Sequence, residues 1–243
     1  MLEVDAKGFD YKDLNRLIRE KVAEGERHFI LRHVNGQRYV GAGIEEKIKI
    51  EIYGTPGQDL GTFMQGPEIV VYGNAQDGVG NTMDDGKIIV HGLAGDIVGY
   101  AMRGGRIHIL GDVGYRTGIH MKGFDKKNPV IIIGGCAGGF LGEYMAGGII
   151  IVLGFNKRGP IVGMCLGTGM HGGVIYVRGK VDTFYLGEGA VLKDIEEKDY
   201  KLLRKLLKEY CEDFSFELEK IFDHPFQKIV PASSRPYGQL YTT

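Results

Sequence analysis

The chain has 243 residues, and its 30 Lys and Arg against 31 Asp and Glu give a formal net charge of −1 and a pI of about 6.7. Such a balance excludes the large cationic surface on which binding to nucleic acid or to an anionic membrane depends. The length suits one repeat domain with a sizeable core.

Three cysteines lie far apart in the chain, and none belongs to a Cys-x-x-Cys pair. This usage is typical of reduced thiols in a cytoplasmic protein and provides no zinc or iron–sulfur ligand set. The N-terminal residues contain no apolar leader, and no run of 18 apolar residues follows them. We therefore expect a cytoplasmic protein with no membrane anchor.

Residues 1–45 are predicted to form an N-terminal cap made of a helix and a hairpin. The helix is expected over 11–24, since Leu14, Leu17, Ile18 and Val22 share one face and a glycine follows its end. The segment 28–40 reads as two strands around an Asn-Gly turn, which is a common hairpin signal.

Residues 46–182 carry a glycine-rich repeat, in which 32 of the 40 glycines lie between residues 54 and 179. Ile or Val stands two and four residues before each glycine that ends an aliphatic run, namely Gly54, Gly73, Gly92, Gly111, Gly134, Gly154 and Gly179. A β-branched strand followed by a short glycine-rich return is one coil of a parallel β-helix. We predict an all-β, single-stranded, right-handed solenoid of about seven coils of about 20 residues, with helical caps.

A second feature of the repeat is the phrase Gly-x-x-Met, which occurs six times. Its glycines and methionines are Gly61, Met64, Gly80, Met83, Gly99, Met102, Gly118, Met121, Gly142, Met145, Gly167 and Met170. Stacked coils place these methionines in one column, and a flexible thioether fills an irregular interior well. The column is predicted to be structural, with no metal or redox role for the sulfurs.

Two of the later strands, 130–133 and 150–153, are aliphatic on both faces. Because the residues two and four positions before each glycine point inward, the residues between and after them point outward. This assigns Ile131, Ile133, Ile151 and Leu153 to an outer, apolar face that must be shielded from water. Either the C-terminal helices of this chain or another chain would supply that cover, and the sequence does not decide between the two.

Residues 183–243 are predicted to form a C-terminal helical cap and an extended tail. The leucines of 196–213 recur at helical spacing, and a second short helix is expected over 214–222. Such ends would cover the terminal coils of the solenoid, which otherwise expose apolar edges.

We expect no catalytic, cofactor-binding or metal-binding residue in this chain. The match of GTGMHG at 167–172 to a dinucleotide fingerprint is incidental, since a strand follows it instead of a helix. The aspartates between Asp77 and Asp112 are expected to form turns, although a carbohydrate-active β-helix enzyme would use such carboxylates. No two histidines have metal-ligand spacing.

Several stretches resemble the C-terminal β-helix of glutamate synthase, the domain named for its G-x-G-x-G pattern. They are PVIIIGGCAGGFLGEYMAGGIIIVLG (129–154), GTGMHGGVIYVRG (167–179), LNRLIRE (14–20) with GQRYVGAG (36–43), and FQKIVPASSRPYG (226–238). The likeness spans nearly the whole chain and is greatest to the form encoded as a separate polypeptide.

The resemblance implies a structural subunit that holds two partner subunits together. One is a glutaminase with an N-terminal cysteine nucleophile, and the other is a synthase that carries FMN and an iron–sulfur cluster. Here the second residue is Leu2, so that nucleophile must belong to another chain. No nucleic acid or membrane partner is expected, and a homo-oligomer remains open. The bare glycine pattern also resembles the β-helix subunit of formylmethanofuran dehydrogenase, whose partner carries a molybdenum or tungsten pterin.

Overall fold

The structure, a computed structural model, describes residues 1–123, 125, 127–155 and 159–233. Parts of 124–128 and of 155–159 therefore lie outside the described residues. The C-terminal tail from residue 234 onward lies wholly outside them.

The N-terminal region contributes two parallel strands and a helix. Strand β1 spans Leu2–Asp5, helix α1 spans Tyr11–Ala23, and strand β2 spans His28–Asn35. The Asp10 side chain begins the helix by accepting a hydrogen bond from the Lys12 amide. The buried face of α1 joins the core cluster of the solenoid interior, so this helix covers the first coil.

The hairpin predicted within 28–40 is wrong. Strand β2 pairs in parallel with β1 on one side and with β3 on the other. Both edges of β2 are therefore occupied, and no edge remains for an antiparallel return strand. The Asn-Gly pair instead leads the chain around the solenoid toward β3.

Seven further strands follow at nearly regular intervals. They are β3 (Lys49–Thr55), β4 (Glu68–Tyr72), β5 (Lys87–Val90), β6 (Arg106–Ile109), β7 (Val130–Ile133), β8 (Ala146–Val152) and β9 (Gly172–Arg178). Each pairs in parallel with the next, and the six connections between them make about six turns. The prediction of a parallel β-solenoid is confirmed.

The interior of the solenoid is filled from three sides. Alternate Ile and Val side chains of each strand point inward and are fully buried. On the opposite wall, isolated parallel bridges join Ala94 to Val113, Val113 to Ala137, and Ala137 to Val162. The repeat methionines close the remaining corner, which gives one continuous core along the coils.

The C-terminal end is closed by strands as well as helices. A short 3₁₀ turn (Thr183–Tyr185) precedes strand β10 (Ala190–Lys193), helix α2 (Glu197–Phe214), the one-turn helix α3 (Leu218–Ile221) and strand β11 (Phe226–Pro231). Strand β11 lies antiparallel between β9 and β10 and so extends the sheet. Helix α2 packs on the outer face of the sheet, beside the strands that close the end.

The inward side of β7 differs from the predicted one. Ile131 pairs with Ile107 and Ile133 with Ile109, so both side chains enter the core. The corner glycine of this coil is Gly135, one residue after Gly134. A strand that is aliphatic at every position gives no alternation from which to assign its faces.

Candidate interaction surfaces

The Gly-x-x-Met turns share one backbone conformation. All six glycines have φ between 65° and 73°, the left-handed region that glycine enters without strain. The residue two positions later also has positive φ in every turn: Phe63, Thr82, Ala101, His120, Tyr144 and Gly169. All six methionines are 0% exposed, at equivalent positions in successive coils.

Main-chain hydrogen bonds tie each of these turns to both neighbouring coils. The amide of Gly80 donates backward to the carbonyl of Leu60 at 2.8 Å, and the amide of Thr82 donates forward to that of Tyr100 at 2.7 Å. The same alternation recurs in the next coils. Because every coil is bonded in both directions, this side of the molecule is a stiff ladder.

Three of the five aspartates between Asp77 and Asp112 serve the same ladder. Asp77 accepts from the Asp96 amide at 2.8 Å, Asp96 from the Tyr115 amide at 2.8 Å, and Asp112 from the Cys136 amide at 2.7 Å. Each bond crosses from one coil to the next. These three carboxylates therefore act as acceptors that join neighbouring coils.

Replacing Asp96 by alanine is expected to lower the free energy of unfolding by about 1–2 kcal/mol, because the Tyr115 amide loses its acceptor. Asp96→Asn is the matched control, since the amide oxygen of Asn74 already accepts from Leu93 in an equivalent way. Urea denaturation measures the free energy of unfolding of both variants. An equal loss in the two variants would show that the carboxylate charge, and not the hydrogen bond, matters.

Helix α2 covers the outer face of the later strands. Its leucines and Tyr210 pack against Val130, Ile132, Ile151 and Leu153. Ile151 and Leu153 therefore point outward as predicted, but they are fully buried beneath this chain's own helix. Of the four residues assigned to a partner-facing surface, none is available to another chain in this state, since Ile131 and Ile133 lie in the core.

A buried carboxylate anchors the N-terminal end of α2. Asp199 accepts hydrogen bonds from the Tyr176 hydroxyl at 2.6 Å and from Lys228 Nζ at 2.8 Å. Burial alone would raise the pKa of Asp199, but the bonds from Lys228, Tyr176 and the Glu196 amide outweigh it and hold the pKa below its usual value. The helix is thereby tied to both β9 and β11.

The outer face of β2–β5 is partly open and carries an aromatic stack, which we define as Arg32, Tyr53, Tyr72 and His91. The Arg32 guanidinium lies 4.1 Å from the Tyr53 ring centroid. The Tyr53 and Tyr72 centroids are 4.7 Å apart, and those of Tyr72 and His91 are 5.1 Å apart. This stack is absent from the sequence-based predictions, although its three rings each directly precede a corner glycine, 19 residues apart.

Tyr72 also connects the aromatic stack to a charged group. Its hydroxyl donates to Glu51 at 3.1 Å, and His28 Nε2 lies 2.6 Å from the other oxygen of that carboxylate. Burial and the neighbouring Glu51 raise the pKa of Tyr72. The stack is thus a fixed, partly exposed aromatic and polar surface, of the mixed kind found at protein interfaces.

The described residues hold neither a metal-binding cluster nor a helix that could span a membrane. Within them, no three His, Cys, Asp or Glu side chains are grouped so as to hold a metal ion. In the same part of the chain, no helix has both the length and the apolar character needed to cross a bilayer.

The chain is similar to a known sequence and to solved structures. An uncharacterized protein of Methanocaldococcus jannaschii is 47% identical, over 98% of this chain and 95% of its own length. A chain of the formyltransferase/hydrolase complex of Methylorubrum extorquens, solved with methylofuran, matches with a TM-score of 0.62 and 20% identity. That match covers 93% of this chain and 89% of the other, and it shows a shared fold.

The family model supplies the assignment. The model of the GXGXG motif matches residues 29–232, which is most of the chain and includes every coil of the solenoid. With its repeated glycine turns and parallel coils, the chain belongs to the GXGXG motif family, the family of the C-terminal β-helix of glutamate synthase.

Proposed function

We propose that this chain is a non-catalytic structural subunit of a multi-chain glutamate synthase, which makes two glutamates from glutamine, 2-oxoglutarate and reducing equivalents. Membership of the GXGXG family over residues 29–232 carries the proposal. The sequence stretches that resemble glutamate synthase favour this member of the family over others.

The physical properties of the solenoid suit such a role. In the part of the chain that the structure describes, eleven strands form one continuous sheet, which at the usual strand spacing extends for about 48 Å. Hydrogen bonds between coils hold its length fixed. A rod of this kind keeps two attached subunits at a constant separation, which a channelled or coupled reaction requires.

The proposed partners are the glutaminase subunit and the synthase subunit, with FMN and the iron–sulfur cluster on the latter. This chain provides the surfaces to which the two partners bind, and the partners carry out the reaction. Asp77, Asp96 and Asp112 are used in bonds between coils, which disfavours the carbohydrate-active alternative.

A second candidate is the β-helix component of a formylmethanofuran dehydrogenase-type complex. Its support is the fold shared with a chain of the formyltransferase/hydrolase complex. At 20% identity this likeness concerns architecture, so the partners of that complex are only a second proposal here.

The experiment is to isolate the tagged chain from its native cells and identify the copurifying proteins by mass spectrometry. We expect a flavin and iron–sulfur protein together with an amidotransferase that has an N-terminal cysteine. A pterin-metal dehydrogenase would overturn this assignment in favour of the second candidate. A chain that emerges without partners would contradict both structural-subunit assignments.

A further inference from the structure

The C-terminal turn of α2 rests on a buried histidine. His108, on the outer face of β6, is fully buried beneath the helix, and its Nδ1 lies 2.5 Å from Asp213 Oδ2. The other oxygen of Asp213 accepts from Lys87 Nζ at 2.7 Å. His108 Nε2 is also buried and has no hydrogen-bond partner.

The elements packed against His108 differ in the groups that they bring to it. Helix α2 contributes Asp213, Glu209 and the buried Tyr210, while Lys87 comes from β5. Arg106 of β6 pairs with Glu209 at 3.1 Å. The adjacent strand residues at the level of His108 are apolar, Ile89 on β5 and Ile132 on β7.

The positive and negative charges around His108 cancel only while His108 is neutral. Lys87 already cancels the charge of Asp213, and Arg106 cancels that of Glu209. A proton on His108 would leave one uncompensated positive charge and a buried N–H without an acceptor, both of which are costly away from water. When the helix turn lifts away, water solvates the imidazolium and removes this cost.

We propose that residues 209–214 form a pH-sensitive latch, which is closed while His108 is neutral and opens when His108 binds a proton. The N-terminal part of α2 stays attached through its leucines and Asp199. Opening separates Phe214 from His91, whose ring centroids are 5.1 Å apart, and uncovers β5 and β6 beside the aromatic stack. The latch does not depend on which complex the chain joins.

The pH range follows from the direction of the pKa shifts. Burial lowers the pKa of His108 below 6.5 in the closed state, although the bond to Asp213 acts in the opposite direction. The stability that His108 gives to the closed latch is therefore full above pH 6.5 and is lost as the pH falls below that value. Asp213, whose own burial is outweighed by its bonds to His108 and Lys87, has a pKa below 3.8 and loses its contribution only in stronger acid.

Hydrogen–deuterium exchange of the full chain, corrected for intrinsic rates, tests the latch. Between about pH 7.5 and about pH 5, protection of peptides covering 209–214 should fall on the order of tenfold, as expected for a histidine that titrates only in the open state. Peptides from β8 should keep their protection over the same range. Unchanged protection of 209–214 would overturn the proposal.

Three variants test whether His108 causes the pH dependence of exchange at 209–214. His108→Gln should abolish the pH dependence of the exchange, whereas His91→Gln, just after the neighbouring strand, should retain it. Lys87→Met removes the charge that cancels Asp213, so a protonated His108 is then balanced and the latch should stay closed at the acidic pH. A pH response that survives in His108→Gln, or that Lys87→Met leaves unaltered, contradicts the proposed charge balance.

Discussion

Replacing Gly118 by alanine should lower the free energy of unfolding by about 2–5 kcal/mol, through strain in the left-handed conformation and overpacking of the core. Gly118 has φ 73°, and a Cβ built on it would lie 2.4 Å from Cδ1 of Ile150. Ile150 is an inward-facing residue of β8 and is fully buried, so its side chain has little room to move. Chemical denaturation monitored by circular dichroism measures the loss.

Gly36→Ala is the matched control for this change. Gly36 has a similar φ of 83°, but a Cβ there would meet no atom within 4 Å. It should therefore show only the conformational cost, about 1–2 kcal/mol. Equal losses at the two sites would mean that the glycines of the Gly-x-x-Met turns serve backbone conformation alone, and not the packing of the following coil.

Replacing Met102 by alanine should cost about 2–5 kcal/mol, because truncation of a buried side chain loses its transfer free energy and leaves a cavity. Met102 is 0% exposed, in the middle of a column of six methionines. The thioether fills the corner where the solenoid changes direction, and neighbouring coils are bonded too firmly to collapse into the space. The cost should therefore lie well above that of a surface truncation.

Met164 supplies the comparison for the methionine column. It lies in the same glycine-rich array but outside the Gly-x-x-Met phrase, and it is 44% exposed. Met164→Ala should change the free energy of unfolding by no more than about 0.5 kcal/mol. A loss below about 0.5 kcal/mol at Met102 as well would contradict the role of the column as core.

The architecture could be predicted because two independent periodicities coincide in the repeat. Ile and Val alternate within each short strand, and glycine returns after about 20 residues, too soon for a crossover helix. Helix α1 was also predictable, since its buried residues share one face and Gly25 follows its end. These are local signals, and the fold obeys them.

Features that depend on contacts between distant segments could not be predicted. The amphipathic pattern of α2 gives a helix with an apolar face, but it does not say whether that face covers the end or the side of the solenoid. The predicted faces of β7 are wrong, because Val130–Ile133 is aliphatic throughout. His108 and Asp213 are 105 residues apart, and nothing in either local sequence indicates their contact.

The aromatic stack could have been found from the sequence. Tyr53, Tyr72 and His91 occupy the same place in successive repeats, so parallel stacking alone brings their rings together. In a solenoid, every repeated position predicts a contact between neighbouring coils, whatever the residue type.

The most direct test of the structural role is to reconstitute glutamate formation from the separate glutaminase and synthase chains, with and without this chain. If it holds them together, glutamine-dependent synthesis should fall on the order of tenfold or more when it is omitted, as expected for the loss of a high effective concentration. Synthesis from added ammonia should not change. An equal glutamine-dependent rate in its absence would contradict the account.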